Sequence, residues 1–215
     1  MIVVIQCAAR KRPHAGHLVT DDGKLVDFVA HPKIAPVQSK KIYARPDDVP
    51  ENGISWRRQL LNYNKTPQNN PLRLCPAFQL YENETYGLLV NQFGLEGVYI
   101  LSAGWGLIRS DFMIPYYDIT FSQSADSYKR RRRTDHYDDC CMLPDQIADE
   151  IVFLGGKDYL QLFCYLTKGR KRTVFFNSAV TPRFSDCEFK RFETARRTNW
   201  HYECANALIE GRLSL

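Results

Sequence analysis

Hydrophobic positions along this chain fall in short continuous runs rather than in long periodic stripes. IVVIQ at 2–6, VYIL at 98–101, IVFL at 151–154 and TVFF at 173–176 are rich in β-branched and aromatic residues. They are too short for helices and are bounded by small or polar residues. Strands buried on both faces of a parallel sheet read this way. Between them, helices are expected over 78–93, stopped by Gly94, over 158–167 (DYLQLFCYLT) and over 199–210, stopped by Gly211. Residues 126–133 and 144–150 are also expected to be helical. Alternating strands and helices predict one α/β domain over 1–215, a three-layer α/β/α arrangement around a mostly parallel central sheet.

The pattern dissolves between 12 and 76, where prolines at 13, 32, 36, 46, 50, 67, 71 and 76 interrupt it. Short strands at 25–30 and 41–44 and a helical turn or two over 54–63 (ISWRRQLLNY) are expected there. The segment as a whole reads as an irregular insertion or lid.

The run at 98–101 feeds SAGWG at 102–106, whose two glycines permit sharp turning and close backbone approach. Arg109, Ser110 and Asp111 follow, then Pro115-Tyr116-Tyr117-Asp118. Ligands of open α/β sheets bind where strands end and loops begin, so this loop is the first place to look for chemistry. The first strand likewise delivers Gln6, Cys7 and Lys11, suited to a phosphate or a sugar, or simply to an ordinary exit into solvent.

Composition is that of a globular protein of 215 residues, and no apolar run approaches a membrane span. The N-terminal apolar stretch is too short for a signal peptide, and the seven cysteines show no framework spacing, which together point to a reducing cytoplasm. His136, Cys140 and Cys141 lack an evident fourth ligand, so neither metal nor other cofactor is expected. No dinucleotide or P-loop fingerprint is present. The net charge of +5 is gathered in clusters: 10–12, Lys129-Arg130-Arg131-Arg132-Arg133, 168–172, and 190–197 with Arg196 and Arg197. Such clusters are solvated surface or converge on a polyanion, and DNA is the expected partner.

Taken together, IQCAARK, Leu80-Tyr81, ILSAGWGL at 100–107 and Ile114-Pro115 with Tyr117-Asp118 resemble the YaaA-like (DUF6884) family over about half the chain. The extra tyrosine before Asp118 and the segment 12–76 depart from its pattern. That family is similar in architecture to the uracil-DNA glycosylase superfamily, and such domains occur in phage-defence DNA glycosylases. The resemblance implies a DNA glycosylase-like enzyme that flips out and excises a modified base, with glucosylated hydroxymethylcytosine of phage DNA as the specific expectation. The alternatives are a non-catalytic nucleic-acid-binding stress protein and a hydrolase of free nucleotides or nucleosides.

Cleaving an N-glycosidic bond builds positive charge on the sugar and negative charge on the departing base, so a carboxylate and hydrogen-bond donors are needed on opposite sides. Asp118, Asp111 and Asn177 are the catalytic candidates. Gln6, Cys7, Lys11, Gly104, Trp105, Tyr116, Tyr117 and Ser178 are the substrate-binding ones, with the aromatics able to stack on an extruded base. Packing or turn-capping accounts for several of them equally well.

Overall fold

A computed structural model describes residues 1–66, 69–146 and 149–213. In chain order the strands are β1 (Ile2–Gln6), β2 (Leu18–Val19), β3 (Leu25–Val29), β4 (Lys41–Ala44), β5 (Cys75–Pro76), β6 (Val98–Ser102), β7 (Gly106–Arg109), β8 (Met113–Ile114), β9 (Tyr117–Asp118), β10 (Cys140–Cys141), β11 (Ile151–Leu154), β12 (Arg172–Phe176) and β13 (Glu188–Arg191). The α-helices among the described residues are α1 (Trp56–Lys65), α2 (Ala77–Leu80), α3 (Thr85–Phe93), α4 (Lys157–Leu166) and α5 (Trp200–Ile209).

Seven strands form the main sheet in the order β10-β7-β6-β1-β11-β12-β13. From β6 to β13 they are mutually parallel, whereas β7 folds back antiparallel to β6 and β10 follows β7. The apolar runs therefore form the central strands, with β6, β11 and β12 buried along their whole length. Burying a large aliphatic or aromatic side chain contributes about 1.5–3 kcal/mol, so these runs carry most of the drive to fold. The charged strand β13 takes the sheet edge, where Glu188, Lys190 and Arg191 discourage further strand pairing.

The segment 12–76 is not the irregular insertion expected. It supplies β2, β3, β4, α1 and β5, and β3 pairs with β9 through Phe28 opposite Tyr117 and Val29 opposite Asp118. Leu18, Val26, Phe28, Trp56 and Leu60 belong to the same apolar core as the main sheet. Prolines broke the pattern, yet β2 and β4 pair with β3 between them, and β3 and β5 find partners far away in sequence, in β9 and β8.

Two expected helices are not formed. Residues 127–129 form a turn, the Lys129 amide donating to the Asp126 carbonyl at 3.0 Å, and the chain then runs out along Thr120, which bridges Arg130 and whose carbonyl accepts from the Arg131 amide at 2.8 Å. Arg131 is buried while its neighbour Arg132 is exposed, which an extended backbone achieves by alternation. Residues 144–146 and 149–150 are not helical either, and 147–148 lie outside the described residues. Glu150 is already drawn toward the sheet, its carbonyl accepting from Ile2 N at 3.0 Å. The expected helix 78–93 is broken between α2 and α3. The Leu80 carbonyl accepts from Arg12 N at 2.8 Å, Tyr81 bridges Lys11, and the Asn83 side chain caps the Thr85 amide at 2.9 Å.

Candidate functional site

In this topology the chain leaves β1 with β6 on one side and β11 on the other, so the connections diverge at the carboxyl end of β1. A crevice is expected at such a switch point. A cleft of about 810 Å³ lies there, lined by residues 6–10 after β1, Glu82 and Asn83 before α3, Gly156 and Asp158 at the start of α4, and 197–202 at the start of α5. Three helices thus begin at the cleft. Their amino ends and dipoles favour negative charge nearby. Arg10 and Arg197 are exposed at its wall.

Gln6 is held in one orientation because its Oε1 accepts from the Gly156 amide at 2.7 Å. This leaves its Nε2 as a donor at the floor of the cleft. Cys7 lines the same floor, its Sγ 3.2 Å from the Tyr159 hydroxyl. Burial pushes the Tyr159 phenol well above its ordinary pKa, so it remains a neutral donor. His201 is buried and its Nε2 finds no partner, and burial pushes its pKa down to about 4. It is therefore a neutral imidazole at neutral pH. The carboxylates of Glu82 and Asp158 line the cleft, and among the described residues neither has a side-chain hydrogen bond or ion pair.

Of the expected substrate-binding residues, then, Gln6 and Cys7 reach the cleft. Lys11 lies behind it, buried, with Nζ 4.3 Å from the centre of the Tyr117 ring. Desolvation lowers its pKa, against the pull of Cys7 on one side and Asp118 on the other. Gly104, Trp105 and Tyr117 belong to the core. Ser102 Oγ accepts from the amides of Gly104 and Trp105 at 3.2 and 3.1 Å and donates to the Tyr117 hydroxyl at 2.9 Å. The carbonyls of this turn are held by buried guanidiniums: Arg57 reaches Gly104 and Trp105 at 3.0 and 3.1 Å, and Arg131 reaches Ala103 at 2.9 Å. The glycines serve the hairpin between β6 and β7. Gly106 has φ +86°, and a Cβ there would lie 2.4 Å from the Cys140 carbonyl oxygen.

The expected catalytic residues are dispersed. Asp111 is held by Arg109 at 2.6 and 2.8 Å, near the amino end of β6 and so at the opposite edge of the sheet. Asn177 and Ser178 follow β12 but turn to local carbonyls, those of Arg196 at 3.2 Å and Val180 at 2.6 Å. Asp118, paired to Lys129 at 3.0 Å, lines with Tyr116 a separate pocket of about 250 Å³.

Most of the basic run is likewise engaged. Lys129 holds Asp118 and Asp126, both at 3.0 Å. Arg130 reaches the Gln123 carbonyl at 3.2 Å. Arg131 makes a two-pronged pair with Asp139 at 2.8 and 2.6 Å and lies 3.9 Å from the centre of the Tyr137 ring. Arg196 pairs with Glu203 at 2.6 Å. Arg132, Arg133 and Arg197 have side chains without a hydrogen bond or ion pair among the described residues.

Sequence reasoning named Arg10 only as part of the basic cluster 10–12, and did not single out Glu82, Asn83, Asp158 or His201. Glu82, Asn83, Asp158 and His201 each sit within three residues of an element boundary and Arg10 sits four past the end of β1, and the break before α3 was the signal that could have exposed Glu82 and Asn83. Among the described residues no group of three His, Cys, Asp or Glu side chains is placed to hold a metal ion, and no helix is long and apolar enough to cross a membrane. No family model, curated protein or solved structure matches the chain.

Proposed function

We propose that this chain is an N-glycoside hydrolase, built as a three-layer α/β/α domain of the uracil-DNA glycosylase kind, that removes a modified base from DNA in the cleft at the carboxyl ends of β1 and β11. The observation that carries the reading is the cleft's division of charge. Arg10, Arg197 and the helix N-termini favour a phosphate, while the free carboxylates of Glu82 and Asp158 sit in the same concavity. A sugar losing its base gains positive charge, which a carboxylate stabilises while directing water to the anomeric carbon. The departing base takes the bonding electrons, and Gln6 Nε2 and the Asn83 amide are the donors available to meet it. Asp158 rather than Asp118 takes the carboxylate role, because it lies in the cleft and is not neutralised.

A base carrying a sugar, as in glucosylated hydroxymethylcytosine, remains the specific substrate proposed. The cleft gives it room without help from 12–76, since none of the lining residues comes from that segment. A second reading, hydrolysis of free nucleotides, is favoured by one observation: Lys129, Arg131 and Arg196 are already consumed in ion pairs. Incubation with modified DNA, unmodified DNA and nucleoside monophosphates tests both. Free base together with alkali-labile abasic sites is the expected product from modified DNA. Release from monophosphates alone would establish the second reading, and no release from any substrate would end both.

A further inference from the structure

We propose that DNA reaches this cleft as a single strand, laid along a groove that continues from the cleft across the first turns of α4 to Arg132 and Arg133. The proposal rests on the glycosidase reading for what happens inside the cleft. The track is a binding surface and stands or falls by its own measurement.

A second concavity of about 320 Å³ adjoins the cleft, and Asp158 lines both, so the two meet at the start of α4. Free cations stand at both ends. Arg10 and Arg197 line the cleft, Arg132 and Arg133 line the adjoining hollow, and all are exposed with side chains that make no hydrogen bond or ion pair. Arg131 directly precedes Arg132 and Arg133 in sequence but has Asp139 as its partner, so the free guanidiniums are a selected subset of the basic residues. A phosphate chain spanning both hollows would meet positive charge where it enters and where it leaves.

Two features select a single strand over a duplex. The first is the acidic content of the groove: Asp135 and Asp158 lie along the track, and Glu82 in the cleft. A duplex carries one negative charge per about 1.7 Å of axis and would press that density onto these carboxylates. A single strand can turn its phosphates toward the arginines and its bases toward the rest. The second is Tyr165, which lines the adjoining hollow from α4 and is 76% exposed. An exposed phenol ring offers a face for an unstacked base. A duplex has no such base to give.

The test is fluorescence anisotropy with labelled oligothymidylates of increasing length, from a dinucleotide to a dodecamer, over a salt series. Arms with the matched duplex and with oligouridylate accompany it. Affinity should rise with length until both hollows are spanned, then level off, with the duplex weaker than the single strand. Arg132→Ala with Arg133→Ala should leave the dinucleotide affinity unchanged and weaken the dodecamer. The same pair should reduce the slope of log K against log salt by about 1.4, roughly 0.7 for each of two single-strand phosphate contacts. Tyr165→Ala should weaken the dodecamer by roughly five- to a hundredfold with no change of slope. These residues are exposed, so thermal unfolding should match the parent protein.

A dinucleotide that binds as tightly as the dodecamer overturns the track. So does an unchanged salt slope in the double arginine variant, or a duplex bound more tightly than the single strand. Tighter binding of oligouridylate overturns the assignment to DNA. None of these readings depends on base release: a protein that binds as described but releases no base refutes the glycosidase and keeps the track.

Discussion

The cleft at the carboxyl edge and the small pocket around Asp118 lie on either side of Lys11, and they use charge in opposite ways. In the pocket, every carboxylate has a cation. Asp118 has Lys129 at 3.0 Å, and Asp27 has Lys41 at 2.9 Å and His17 Nδ1 at 3.0 Å. Burial pushes the Asp27 carboxyl up, but the hydrogen bonds from His17 and Lys41 outweigh it and leave the pKa below its ordinary value. In the cleft, Glu82, Asp158, Arg10 and Arg197 have no such partners. Charges matched within the chain tie β3 to β4 and β9 to the turn that carries Lys129. Charges left unmatched in a concavity are available to a ligand, which is why chemistry is proposed for the cleft and not for the pocket.

The largest expected effect tests that division directly. Asp158→Asn should slow base release by about 10²–10⁴, the usual cost of removing a positioned acid–base group. Stability should change by less than about 1 kcal/mol, because the carboxylate meets only the amino end of α4. Single-turnover kinetics beside thermal unfolding give both numbers. Wild-type release by a folded variant would return the search to Glu82.

Next comes a contrast between adjacent residues of one charge run. Arg131→Ala strips Asp139 of its buried partner and the Ala103 carbonyl of its donor. Leaving one member of a buried pair unmatched costs about 3–5 kcal/mol. Arg132→Ala, one residue along and exposed, should stay within about 0.5 kcal/mol of the parent. Urea denaturation of the two variants side by side measures the difference. Equal effects would mean that burial does not separate the structural cations from the free ones.

A third effect is confined to acid. His201 is buried with its pKa pushed down to about 4. The unfolded chain binds this proton near pH 6.5 and the folded chain does not. Stability must therefore fall as pH drops from about 6.5 toward 4, by about 3 kcal/mol over the window. His201→Leu should remove that component of the acid sensitivity. A stability profile with the same slope in both proteins would show that His201 is not the group responsible.

The strands were legible because a parallel sheet demands apolar residues on both faces, and VYIL or IVFL can do little else. The helix at 157–166 was legible for a similar reason, its apolar residues being many and its start marked by two glycines. What escaped was whatever depends on a distant partner. Nothing within SAGWG reveals that its carbonyls are held by Arg57 and Arg131, 47 and 28 positions away. Five adjacent basic residues look alike in a sequence, and Asp139, Asp118 and Thr120 decide which are spent and which are free. The cleft was half legible: the sequence pointed to the carboxyl end of the first strand, and Gln6 and Cys7 from there line it. Asp158 carries no motif, and only the order of strands brings it beside them.

The smallest expected effect is the one most able to invert the comparison. Asp118 sits on β9, next to Val29 of β3, with its side chain 31% exposed and that of Lys129 26% exposed. An ion pair so open to solvent contributes about 0.2–1 kcal/mol and weakens with salt. Lys129 also keeps Asp126 at 3.0 Å, so it does not become an orphaned charge when Asp118 is changed. Asp118→Asn should therefore lower stability by no more than about 1 kcal/mol. Half a molar salt should shrink that difference further, because it leaves a Debye length of only about 4 Å. Base release per folded molecule should be unchanged. If instead the rate falls a hundredfold while the folded fraction is intact, the pocket behind Lys11 is the reacting centre, and the open cleft merely delivers the strand to it.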